Sequence, residues 1–491
     1  MSAISVHRHE LQFLPDSARV LIRPFIPQNP QRIVQILGRS LAMSEEEVAR
    51  EVSHVIRDFG GRHLDIERLL LRTFGRVESF LFTDRPLTPA RRMFIGALFT
   101  GEYALESAAL FNPSIVLHPD QVGVSPGSAR FVMSLRATGE GHISSIEFRT
   151  GVIDAEGGMT ADPVTRFVTA PELHLNPTYN KQAFIVKLHE MGFENEHSAA
   201  LMNPLSDMFT LEQIDQEVAG ISQSAHVVTR EEQRTIECVR WLAESNYELS
   251  FAPKSEMSER ILFPVSANES NGIEDARFVR FVDDDGRVTY YATYTAYNGR
   301  VILPQFLETR DFLHFRILTL NGRAAENKGM ALFPRRINGR FAMLSRQDDE
   351  NLFLMYSDNP HYWNSPRRLI APRQQWEIVK VGNCGSPIET EAGWLVLTHG
   401  VGPMRRYCIG ALLLALHDPS KVIGRLAEPL LEPKENEREG YVPNVVYTCG
   451  ALLHGNHLIL PYAMSDKATL VSTVKLDELL SALQASAGEG T

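Results

Sequence analysis

From Gly272 onward the chain is punctuated at near-regular intervals. Asp285-Gly286, Asn338-Gly339, Ala392-Gly393 and His454-Gly455-Asn456 each fall between short apolar runs. Gly and Asn supply the positive φ that tight β-turns require, so these pairs mark hairpins. A spacing of roughly 50–60 residues suits four-stranded units joined by long loops. Such a pattern restricts the region to a large all-β fold, either a propeller or a sandwich, and periodicity alone does not separate the two.

The rest of the chain divides around this block. Residues 1–110 carry a mainly helical pattern. Ser44-Glu45-Glu46-Glu47 is a capping box, and Val48, Val52 and Val55-Ile56 follow at helical spacing. Ile66 to Phe74 continues the pattern, and Ala90 to Leu110 is apolar enough for a buried helix. Short alternating strands begin at Phe111, among them Ala129 to Ala137 and Ser144 to Thr150. From about 178 to 250 the β pattern breaks. Thr210 with Gln213 and Thr229 with Glu232 are capping boxes that open helical runs. The expected organisation is a helical extension over 1–110, a β domain over 111–475 with a helical insertion at about 178–250, and a tail over 476–491. The helical regions are candidates for covering a pocket or for joining copies of the chain.

A net charge of −11 argues against a nucleic-acid surface. No run of about 18 apolar residues is present, so no transmembrane helix is expected. The N-terminal stretch lacks the apolar core of a signal peptide. Cys238, Cys384, Cys408 and Cys449 are dispersed without CxxC spacing. This argues against a structural zinc site and for reduced thiols in a cytoplasmic protein. No metal is expected. No P-loop, HExxH or nucleophile elbow occurs.

The segment richest in chemistry is Gly272-Ile273-Glu274-Asp275-Ala276-Arg277-Phe278. It enters a strand, Phe278 to Val282, which the turn Asp283-Asp284-Asp285-Gly286 joins to a second strand, Val288 to Tyr297. Adjacent carboxylates and an arginine at a strand entrance fit an ordinary ion pair as readily as a catalytic group. Further along stand Leu332 to Arg346, Lys380-Val381-Gly382, Trp394 to Gly400, Tyr407, Ile409 to Leu416, Asp418 to Val422 and Gly440 to Val446.

In this order the segments resemble glycoside hydrolase family 130, the mannoside phosphorylases and β-mannosidases, over roughly residues 111–475. Ala276 stands where that family usually has proline. The resemblance implies a mainly β fold, a five-bladed β-propeller with its site at the mouth of the central channel. It implies Asp275 as the general acid. It also implies Lys380, His399, Tyr407 and the Asn327-Lys328 pair as phosphate contacts. Asn112, Arg136, Glu274, Arg277, Arg346, Asp348 and Asp466 would bind the sugar.

The chemistry behind that division is simple. An inverting hydrolase needs a second carboxylate to activate water. A phosphorylase needs cationic and hydrogen-bonding groups that hold phosphate in line with the bond. The family's hydrolytic members have glutamates in place of the cationic set. Taken singly, a strand lysine is a common solvated group, and Asp348-Asp349 fits an exposed turn. The implied function is an inverting β-mannoside phosphorylase releasing α-mannose 1-phosphate. β-1,2-Linked mannosides are the expected substrates and inorganic phosphate the co-substrate, with no other cofactor. A β-mannosidase and a non-catalytic sugar-binding protein are the alternatives.

Overall fold

The computed structural model describes residues 4–174, 178–223, 229–297 and 302–486. Among these residues, five antiparallel sheets carry four or more strands. The first holds Ala109–Leu117, Ala129–Thr138 and Ser144–Ile153, edged by Ile261–Leu262. The second begins with Ile273–Val282 and Val288–Tyr297, the pair expected around the Asp-Asp-Asp-Gly turn. Ile302–Thr309 and His314–Thr319 follow in the same sheet. The third runs from Ala331–Leu332 through Phe341–Ser345 and Leu352–Ser357 to Arg367–Ile370. The fourth joins Lys380–Asn383, Gly393–Val401, Tyr407–Leu414 and Val422–Arg425. Val446–Tyr447, His457–Met464 and Ala468–Lys475 form the fifth.

Each sheet touches the next, and the fifth touches the first. Phe278 N donates to Ser114 Oγ at 3.0 Å, and Val282 N to Pro334 O at 2.9 Å. Val381 N donates to Glu350 O at 3.0 Å, and Tyr407 N to Asn444 O at 3.0 Å. Cys449 N closes the sequence of contacts on Pro113 O at 2.7 Å. The predicted turns lie inside the sheets, with positive φ at Gly286, Asn338, Gly339, Gly393 and Gly455. The cores are apolar layers, such as the cluster of Phe148, Phe278, Phe312 and Phe315 under the first two sheets.

Three expectations of layout are corrected. Residues 1–110 are not wholly helical, because Val6–Phe13 pairs with Ala468–Lys475 and completes the fifth sheet. The helix expected over Ala90 to Leu110 stops at Leu98. Thr100–Ala104 then pairs with Val20–Pro24, so strand pairing overrides the helical pattern. The segment after 475 is no loose tail: Leu476–Ala485 is a helix whose Leu479 and Leu483 are fully buried.

The capping boxes at Ser44 and Thr229 both form. Helices Pro30–Ala42, Glu45–Phe59, Ile66–Val77 and Pro89–Leu98 share small apolar cores. Between the first and second sheets lie helices Lys181–Glu190, Glu196–Met202, Leu211–Gln223 and Arg230–Glu244, around a core of their own. Strands Glu172–His174 and Tyr247–Ser250 flank this module and add to the outer edge of the second sheet. Among the described residues no helix is long and apolar enough to cross a membrane. The four cysteines are buried free thiols.

Candidate active site

Two β-bulges build the acidic side of the site. The pairing of Ile273–Val282 with its neighbour slips between Glu274 and Arg277, and Asp275 takes φ 57° there. The first sheet slips between Phe111 and Ser114, where Asn112 takes φ 49°. Bulges re-aim side chains out of the alternating pleat. Here they bring Asn112 Nδ2 to Asp275 Oδ1 at 2.6 Å. Asn112 Oδ1 is buried with no partner among the described residues.

Arg136 lies beside both carboxylates. One terminal nitrogen meets Glu274 Oε1 at 2.7 Å and the other meets Asp275 Oδ1 at 3.4 Å. Its Nε donates to Ser144 Oγ at 2.9 Å, and its guanidinium sits 4.9 Å from the centre of the Phe111 ring. Burial alone would push the Asp275 carboxyl up. Arg136, Arg277 and Lys328, with the Asn112 hydrogen bond, outweigh burial and hold it below the usual carboxylate value. Asp466, at φ 51°, behaves oppositely. Burial, seconded by the charges of Asp275 and Glu274, pushes it up to about 6 against the pull of Arg136 and Arg405.

Arg277 is not a sugar contact in this arrangement. It is 2% exposed, and all three of its nitrogens are engaged by the protein. Nε donates to Cys384 O at 3.0 Å, one Nη to Asp275 O at 2.9 Å and the other to the Tyr447 hydroxyl at 2.7 Å. It therefore braces the second, fourth and fifth sheets against one another. Tyr447 was missed in the sequence, although it directly follows the Gly440 to Val446 segment.

The cationic side centres on Arg346. Its Nε donates to Lys328 O at 3.1 Å and an Nη to His399 Nε2 at 2.9 Å. Arginine can only donate, so His399 accepts at Nε2 and carries its proton on Nδ1. Burial and the nearby charges of Arg346, Arg277 and Lys380 hold His399 well below its ordinary value, hence neutral. His399 is 0% exposed and stacks on Tyr407, ring centres 6.1 Å apart. Through Nε2, His399 thus holds Arg346 in place.

Two glycines make room for Arg346. A Cβ on Gly382 would lie 2.6 Å from the His399 ring, and one on Gly329 would lie 2.8 Å from Arg346 Nε. Asn327 donates through Nδ2 to Arg346 O at 3.2 Å and accepts from Lys328 N at 2.9 Å. Lys380 Nζ pairs with Asp349 at 3.0 Å. Asp348, expected to bind sugar, is exposed and spends its oxygens on its own turn, accepting from Glu350 N, Asn351 N and Asn351 Nδ2 at 2.7–3.0 Å.

The family model of glycoside hydrolase family 130, described as beta-1,4-mannooligosaccharide phosphorylase, matches residues 246–485. A 1,2-beta-oligomannan phosphorylase of a Thermoanaerobacter species is 33% identical over 228 residues, covering 44% of this chain and 74% of that protein. A beta-1,2-mannobiose phosphorylase of Listeria innocua is 33% identical over 233 residues, covering 46% of this chain and 64% of that one. The solved Listeria innocua beta-1,2-mannobiose phosphorylase, in complex with beta-1,2-mannobiose, superposes with a TM-score of 0.46 at 22% identity. That superposition covers 78% of this chain and 93% of the other. The chain belongs to glycoside hydrolase family 130 and is an enzyme.

Proposed function

We propose that the protein is an inverting β-mannoside phosphorylase acting on β-1,2-linked manno-oligosaccharides. The observation that carries this reading is the division of charge. A carboxylate pair, Glu274 and Asp275, meets a cationic set of Arg346, Lys328 and Lys380, and the charge of Lys328 reaches Asp275. Phosphate held by that set attacks the anomeric carbon. The glycosidic C–O bond breaks, and the leaving oxygen takes a proton that originates at Asp275. The products are α-mannose 1-phosphate and a shortened acceptor.

Asp275 is held ionised by its cationic neighbours in the free protein. An incoming phosphate dianion offsets those cations, so the carboxyl is better able to hold a proton in the ternary complex than before it. Asn112 and Arg136 orient the carboxylates beside the sugar. Asp466 is a hydroxyl acceptor. Tyr407 flanks the phosphate region through its stack on His399. The closed sequence of contacts through five sheets supports reading them as the blades of a five-bladed propeller, with the site where their inner strands converge. The relatives' β-1,2 names support the choice of linkage.

Parallel incubations of β-1,2- and β-1,4-linked mannobiose with phosphate, followed by proton NMR, test the reading. The expected first product is α-mannose 1-phosphate, formed faster from the β-1,2 linkage. A β-anomer as first product would remove inversion, and faster cleavage of the β-1,4 linkage would remove the substrate assignment.

A further inference from the structure

The helical insertion lies almost wholly outside the segment that the family model matches, which begins at residue 246. Both of its ends are nonetheless fastened to loops that lead into the site. In helix Lys181–Glu190, Lys187 is 6% exposed and donates from Nζ to Leu320 O at 2.8 Å. Glu190 Oε1 accepts from Gly322 N at 2.8 Å, and its Oε2 lies 3.4 Å from Lys187 Nζ. One ion pair thus grips both backbone groups of a single turn. Gly322 has φ 101°, and a Cβ there would strike Trp363 O, so the turn has little room to shift. The chain runs from this anchor through residues 323–326 to Asn327 and Lys328.

The far end is fastened by uncharged donors and one buried carboxylate. Asn246 Oδ1 accepts from Thr319 N at 2.9 Å, and Asn268 donates to Ser245 Oγ. Tyr247 donates to the buried Glu269 at 2.9 Å, and Glu269 also collects the Tyr294 hydroxyl and the amides of Val265 and Ser266. Glu269 opens the stretch that ends at Asp275.

A buried ion pair is a poor source of stability compared with apolar packing. A Lys–Glu pair with directed bonds to two backbone groups instead fixes where a loop sits. The insertion has its own apolar core, built from residues such as Phe184, Leu188 and Leu242.

We propose that the insertion is a positioning device for the reaction, with Lys187 and Glu190 as positioning residues that set the Lys328 loop for phosphate. This rests on the reading of Lys328 as a phosphate contact. Neither residue touches substrate; both act through the backbone of Leu320 and Gly322.

The test is a set of steady-state constants on the full-length protein, with inorganic phosphate and β-1,2-mannobiose varied separately. Lys328→Met is expected to raise the phosphate KM about tenfold, the size of one charge-assisted contact. Glu190→Ala is expected to raise it several-fold while the mannoside KM hardly moves. Glu190→Gln, which keeps an acceptor for Gly322 N, recovers part of the loss. The double variant of Glu190→Ala with Lys328→Met is expected to be no worse than Lys328→Met alone, because coupled sites are non-additive. An effect of Lys328→Met with none of Glu190→Ala overturns the positioning role and leaves the phosphate reading standing. No effect of Lys328→Met overturns both. Additive losses in the double variant also overturn the proposal, since they mean that Glu190 acts independently of Lys328. Lys187→Met carries the same expectations should Glu190→Ala fail to fold.

Discussion

Asn112 and Asp275 meet across two neighbouring sheets, amide to carboxylate at 2.6 Å, and both stand at left-handed backbone positions on β-bulges. Such positions are uncommon for residues other than glycine and are tolerated best by Asn and Asp. Two independent irregularities that converge on one hydrogen bond mark the place where regular sheet geometry yields to function.

Asp275→Asn keeps a side chain of the same shape and removes the ionisable group. Turnover should fall at least about a hundredfold, as the loss of a general acid implies. Circular dichroism should be unchanged. A folded Asn variant with ordinary turnover would remove Asp275 as the acid.

Arg136→Met leaves Glu274 and Asp275 side by side without the cation that separates them. Removing one partner of a largely buried ion pair costs about 3 kcal/mol. Asp275, now held low, contributes stability above the ordinary carboxylate range that is lost as pH falls through its folded value. Without Arg136 that contribution shrinks. The deficit against the parent should therefore be largest at pH 7 and shrink only as pH falls below about 4, as urea unfolding at pH 7 and at about pH 2.5 will measure. An equal deficit at both would contradict the electrostatic account.

Asp466 runs the other way. Its folded carboxyl keeps a proton up to about 6, whereas an unfolded aspartate loses it near pH 4. Between those values the folded state binds more protons, so this residue lowers stability as pH rises through that window. Asp466→Asn should raise the melting temperature at pH 7, leave it nearly unchanged at pH 4 and weaken sugar binding. A lower melting temperature at pH 7 would show that the ionised group is stabilising.

Lys380 pairs with the half-exposed Asp349, an ion pair of little value to stability. Lys380→Ala should therefore leave the melting temperature within about a degree. It should raise the phosphate KM roughly ten- to a hundredfold. A phosphate titration with an unaltered KM would remove Lys380 from the phosphate site.

Local chemistry made part of this legible. Asp283 to Gly286 announced its hairpin, and Ser44 and Thr229 announced their helix starts, because turns and caps are decided by adjacent residues. Val6–Phe13 was illegible as a strand because its partner lies at Ala468–Lys475, the far end of the chain. Asp275, Asn112 and Arg136 could be named through family resemblance, but neither their bulges nor their mutual bonds could be read from residue order. Arg277 and His399 show the limit most clearly. Both match family motifs, yet three-dimensional packing turns Arg277 into a brace between sheets and His399 into a neutral acceptor for Arg346.

The most direct measurement compares breakdown of β-1,2-mannobiose by the wild-type protein with and without inorganic phosphate, scoring mannose 1-phosphate against free mannose. The cationic set around Arg346, Lys328 and Lys380 predicts a rate that depends on phosphate, with mannose 1-phosphate as the sugar product. Release of free mannose at the same rate in the absence of phosphate would contradict phosphorolysis and make the protein a β-mannosidase.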